Sequence, residues 1–98
     1  MTNDPLRAVL DDDLEFDVQQ LSRACRCEVE LIVELVHEGV LGAAGGDPAD
    51  WRFEGTLLQR ARLAIRLARD LEINPPGVAL ALDLIDELNA LRLQRPRS

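Results

Sequence analysis

The side chains able to do chemistry in this chain are few and are not spaced for it. His37 is the single histidine, so a histidine-rich metal cluster is impossible, and its place at an acidic helix end suits a surface or capping residue better than a general base. Cys25 and Cys27 are separated by one residue. That spacing is not the two-residue spacing of a dithiol redox motif, and no second cysteine pair completes a structural zinc site. The pair also argues for a reducing, cytoplasmic setting, because a disulfide framework normally clips distant segments together. Gly42, Gly45 and Gly46 are not followed by the Lys-Ser/Thr of a phosphate-binding loop. The carboxylates are numerous, but abundance alone does not make an acid/base pair with separated pKa values. A chain of 98 residues also does not easily frame a deep pocket. The expectation is a small, acidic, mainly helical binding module that is not an enzyme and needs no cofactor or metal.

Charge narrows the choice of partner. The formal net charge is -7, and it is unevenly placed. Residues 1–58 hold 13 Asp/Glu and 4 Arg, a balance of -9, and residues 59–98 hold 5 Asp/Glu and 7 Arg, a balance of +2. The N-terminal part therefore repels polyphosphate and attracts a basic protein surface. Surplus acid that only keeps a small protein soluble accounts for the same balance. No apolar stretch follows a basic N-terminal region and no run is long enough to span a bilayer, so neither export nor membrane insertion is expected.

Residues 1–13 read as an acidic arm ending in Asp11, Asp12 and Asp13. Residues 14–93 read as one helical domain, and 94–98 as a tail, with fraying expected from Arg92 onward. After a short extended piece at Leu14 to Phe16, Asp17 is placed to cap a helix whose Val18, Leu21, Ala24 and Cys25 face the core. A turn at Arg26 and Cys27 leads to a second helix, Glu28 to Glu38. Val29, Ile32, Val33 and Val36 supply its apolar face, Leu35 lies near that face, and Gly39 ends the helix in the left-handed conformation with Val40 and Leu41 folding back.

The loop at Gly42 to Asp50 precedes Trp51-Arg52-Phe53, whose alternation predicts a short edge strand with both aromatics as core anchors. Two short helices followed by such an excursion make a winged helix-turn-helix. Glu54 is the candidate cap of a long helix over Gly55 to Leu71, with Leu57, Ala61, Ala64, Ala68 and Leu71 along one line. Asn74-Pro75-Pro76-Gly77 opens a last helix to about Arg92. Its broad stripe of Val78, Leu82, Ile85, Leu88 and Leu91 is widened by Leu80 and Leu84; it either completes the core or is partly covered by a second chain.

The order of elements resembles the MerR-type winged helix-turn-helix group, and within it the chaperone-modulator family CbpM. The matching stretches are Phe16 to Leu41, the Trp51-Arg52-Phe53 wing, Arg60-Ala61-Arg62-Leu63, and above all Leu71-Glu72-Ile73-Asn74-Pro75-Pro76-Gly77-Val78-Ala79-Leu80-Ala81-Leu82. Leu84, Ile85, Asp86 and Glu87 resemble the family's acidic run on the same helix. The resemblance implies a modulator that binds the J-domain of a CbpA-like, DnaJ-family co-chaperone. It suppresses the partner's stimulation of the Hsp70-type chaperone and its DNA binding, which would associate it with the nucleoid through that partner. The acidic arm and the glycine-rich 42–46 loop depart from the family pattern.

A MerR-like outline also admits a DNA-binding transcriptional regulator, and here residue chemistry arbitrates. A reading helix needs Arg and polar side chains for base edges and phosphates. The second helix carries Glu28, Glu30, Glu34 and Glu38 with no Lys or Arg, which disfavours DNA and suits a basic protein surface. A second candidate surface combines Arg62, Arg66 and Arg69 with Asp83, Asp86 and Glu87. These groups pair within the monomer, the favoured reading, or bridge a homodimer, or form a separate partner site.

Overall fold

Local sequence signals set the boundaries of the elements. The computed structural model describes residues 14–94; the expectations for the acidic arm, residues 1–13, and for tail residues 95–98 lie outside the described residues. Strand β1 is Glu15–Phe16, and Asp17 then starts helix α1, Val18–Cys25. The Asp17 carboxylate accepts from the Gln20 N–H at 2.7 Å, and the Gln20 side chain accepts from the Asp17 N–H at 2.9 Å. This reciprocal pair satisfies two backbone donors that a helix start otherwise leaves open.

Helix α1 ends on Arg26, which takes the left-handed conformation at φ 54, ψ 48. Helix α2 spans Val29–His37, with Glu28 and Glu38 as its flanking caps. Gly39 follows at φ 78, a region open to glycine at no steric cost. The chain then folds back, Val40 N–H donating to Leu35 O at 2.9 Å, and buries Val40 and Leu41.

The wing has two parts. Ala44 and Arg52 form an antiparallel bridge with both backbone hydrogen bonds made, at 3.0 and 2.9 Å, closed by a 3₁₀ turn at Pro48–Asp50. Strand β2, Phe53–Glu54, pairs antiparallel with β1, placing Phe16 opposite Phe53 and Glu15 opposite Glu54. The strand thus starts two residues later and ends one residue later than Trp51-Arg52-Phe53 predicts. Glu54 does not cap the long helix. Gly55 N–H donates to Leu14 O at 2.9 Å, so the pairing continues past Glu54, and a 3₁₀ turn at Gly55–Leu57 intervenes before helix α3, Leu58–Asp70.

Helix α4 is Pro75–Gln94, twenty residues, and continues past Arg92, where fraying was expected to begin. Asn74 Oδ1 accepts from Gly77 N–H at 2.9 Å, and Pro75 takes the first helical position, where its missing donor costs nothing. Gly77 has a packing reason as well: a Cβ there would meet Ile73 Cγ2 at 2.6 Å.

The core gathers Leu21 from α1, Ile32 and Leu35 from α2, Phe53 from β2, Leu58, Ala61 and Ala64 from α3, and Val78 and Leu82 from α4. Ala61 and Ala64 are fully buried, and their small side chains allow helix backbones to approach closely. Trp51 is buried and stacks edge-on against Phe53 and His37, with ring centroids 6.1 and 6.0 Å away, as its anchoring role predicts.

Three expectations about faces change. Leu35 is at the centre of the α2 face rather than beside it, and Val29, Val33 and Val36 are half-buried. Leu71 is exposed, because α3 ends at Asp70 and Leu71 no longer follows the helical line. On α4 the buried stripe stops near Ile85, leaving Leu80, Leu84, Leu88 and Leu91 in solvent. Among the described residues no helix is long and apolar enough to cross a membrane.

Candidate protein-binding site

Once Ile32 and Leu35 are committed to the core, the helical repeat fixes which α2 residues face outward. Glu30, Glu34 and Glu38 stand four residues apart on one exposed stripe, and Glu28 is exposed at the helix start. The structure therefore places all four predicted glutamates at solvent. Their arrangement does little for folding. Carboxylates at i,i+4 repel each other by roughly 0.2–0.5 kcal/mol per pair. Glu34 and Glu38 also lie toward the helix C-terminus, where the macrodipole disfavours negative charge. Glu28 makes no side-chain capping bond that would justify it structurally.

The second candidate surface comes apart. Among the described residues the ion pair is Arg60–Asp86, at 3.2 Å, rather than any pairing of Arg62, Arg66 or Arg69 with Asp83, Asp86 or Glu87. Two residues advance an α-helix by about 200°, so Arg60 and Arg62 leave α3 on nearly opposite sides. Arg60 reaches α4, and Arg62, Arg66 and Arg69 line an open cleft against the end of α1. Asp83 and Glu87 are exposed on α4.

Arg60 is the functional-looking group that sequence reasoning missed. Its guanidinium meets both Asp86 carboxylate oxygens at 3.2 Å, and its Nε donates to Val40 O at 3.0 Å. One side chain thus ties the turn after α2 to α4. No local spacing announces contacts between residues 20 and 26 positions apart.

The remaining reactive groups are held quiet. Burial raises the Cys25 thiol above its ordinary range, with Arg62 opposing. Burial, then Cys25 and Glu28, push the Cys27 thiol up to about 11 against the pull of Arg69. Such thiols stay protonated and are poor nucleophiles near neutral pH. His37 is exposed, edge-on to Trp51.

Comparison with known proteins places this geometry. The family described as MerR HTH family regulatory protein matches residues 16–95. The chaperone modulatory protein CbpM of Coxiella burnetii (strain Dugway 5J108-111) is 37% identical over 90 residues, covering 92% of this chain and 84% of that protein. The chain belongs to the CbpM family. CbpM proteins of Pseudomonas putida agree at lower identity: that of strain W619 is 33% identical and that of strain F1 32% identical, each over 79 residues, 81% of this chain and 78% of the relative.

Membership in the CbpM family joins a MerR-type scaffold to relatives named for chaperone modulation. In a DNA-reading member of this scaffold the second helix lies in the major groove. In this CbpM-family chain the same helix presents glutamates there, and the nearest basic groups in sequence, Arg23, Arg26 and Arg52, all lie outside it.

Proposed function

We propose that this protein is a chaperone modulator that binds the J-domain of a CbpA-like, DnaJ-family co-chaperone through the exposed glutamates of α2. By occupying that surface it inhibits the partner's co-chaperone and DNA-binding activities, in the cytoplasm and without catalysis. The observation that carries this reading is the stripe of Glu30, Glu34 and Glu38 on the helix that a MerR-type reader would lay against DNA. Family membership supports the chaperone setting. A basic surface docked on the stripe relieves its self-repulsion, while neighbouring apolar contacts supply lasting affinity. The exposed leucines of α4 support a homodimer in which a second copy covers them.

The test titrates the protein separately with a J-domain and with duplex DNA, following affinity and complex mass. J-domain binding without DNA binding is expected, with Glu30→Lys/Glu34→Lys lowering J-domain affinity roughly tenfold or more while helicity is unchanged. Duplex binding without J-domain binding would instead establish a transcriptional regulator. The same mass measurements on the protein alone report a dimer or a monomer.

A further inference from the structure

We propose that the cleft between the end of α1 and the outward side of α3 is a second docking site, which takes a short run of carboxylates on a partner polypeptide. Its lining includes four arginines, Arg26, Arg62, Arg66 and Arg69, against one acidic residue, Asp70. The cleft is open to solvent, about 410 Å³ in volume, and Ala24, Cys25 and Ile65 give it apolar lining between the charges. In a chain of net charge -7, three of these arginines come from residues 59–98, the part whose balance is +2, and the cleft gathers them with Arg26 in one place. None of the four arginines makes an ion pair among the described residues; Arg60 does, on the other side of α3.

Arg26 supplies an independent observation. It holds φ 54, ψ 48 at the end of α1, a position where glycine is the favoured residue because a Cβ crowds the backbone. The arginine at that position lines the cleft from a different element than the α3 stripe. Nothing in the capping hydrogen bonds, which its backbone N–H makes to Arg23 O and Ser22 O, requires that side chain.

The dimensions select the ligand. From Arg62 to Arg69 the helix advances about 10 Å at 1.5 Å per residue. An extended peptide covers that length in about three residues. Guanidinium groups take carboxylates in paired, charge-assisted hydrogen bonds, so three acidic side chains find enough donors here. A long nucleic acid strand is repelled by the chain's net charge of -7 as a whole, whereas a short acidic segment confined to the cleft meets mainly its arginines. The site has the opposite sign to the α2 stripe and uses other elements, so it stands independently of J-domain binding.

The test uses the full chain and a short fluorescent peptide of Asp and Glu, followed by anisotropy, with an Asn/Gln peptide of equal length as control. The acidic peptide is expected to bind, with affinity falling as salt rises, and the control is expected not to bind. Arg62→Ala/Arg66→Ala should weaken binding roughly tenfold or more. Arg26→Gly separates binding from folding: it should keep or raise the melting temperature, since glycine accepts that backbone, and still lower affinity several-fold. Failure of the wild-type protein to bind the acidic peptide overturns the proposal. So does binding seen only after Asp11→Asn/Asp12→Asn/Asp13→Asn, which would make the chain's own aspartates the occupant. Tighter binding of a single-stranded oligonucleotide of equal charge would also overturn it.

Discussion

Helix α2 buries Ile32 and Leu35 completely and turns Glu30, Glu34 and Glu38 to solvent, whereas α4 buries Val78 and Leu82 and turns leucines outward. Leu84 and Leu88 are 57% and 49% exposed, and Leu80 and Leu91 continue their stripe along the helix. Both helices touch the same core, yet their outer faces ask for different neighbours. A carboxylate row is well solvated and gains mainly from a partner of opposite charge, so it selects. A leucine row gains from any apolar cover, so it holds. A small module with both has one outer face that gains most from opposite charge and another that gains most from apolar cover.

The largest expected effect tests whether the two helices really divide their residues this way. Leu35→Ala on α2 and Leu82→Ala on α4 each open a cavity in the packed core and should cost about 3 kcal/mol in urea unfolding. Leu88→Ala, further along the same α4, should stay within about 0.5 kcal/mol in dilute solution. A loss at Leu88 equal to that at Leu82, measured where the protein is monomeric by mass, would show that the α4 leucines serve the monomer core.

A smaller effect comes from the one side chain that joins the two regions. Arg60→Ala removes the bidentate pair with Asp86 and the hydrogen bond to Val40 O, and should cost about 1 kcal/mol, since the groups are partly solvated. Asp86→Asn keeps the Val40 bond and should cost only a few tenths of that scale, read by the same unfolding curves. If the two substitutions cost the same, Val40 O contributes nothing and the clip between α2 and α4 is the surface ion pair alone.

What sequence reading could reach follows the same division between local and distant interactions. Asp17, Gly39 and Asn74-Pro75 are legible because a cap is decided within three or four residues of itself. The outward α2 glutamates follow from periodicity once its apolar face is known. Periodicity shows that α4 has an apolar stripe from Val78 to Leu91, but not that its neighbours stop near Ile85, because that depends on where α3 and α2 end in space. The choice of Arg60 over Arg62 as the partner of Asp86 is equally non-local, set by which side of α3 meets α4. Glu54 misled because its likeness to a cap residue was overridden by strand pairing that runs on to Gly55.

The smallest expected effect probes the start of α2, where Cys27 precedes the Glu28 cap and is half-buried. Burial is the main reason its thiol is raised from an ordinary 9.0 to about 11, with Cys25 and Glu28 adding to the rise and Arg69 opposing it. The folded chain therefore binds this proton more tightly than the unfolded chain does. The associated stability is fully present below about pH 9 and is lost as pH rises through about 11. Ultraviolet thiolate absorbance should show a Cys27 midpoint near 11 in the folded protein and near 9 in urea, and Cys27→Ser should flatten the alkaline fall in unfolding midpoint. Because the side chain is partly solvated, that fall should be modest. A folded-state midpoint near 9 would mean that water reaches the start of α2 freely, and the contrast between a closely packed α2 and an α4 with an uncovered end would then weaken at its tightest point.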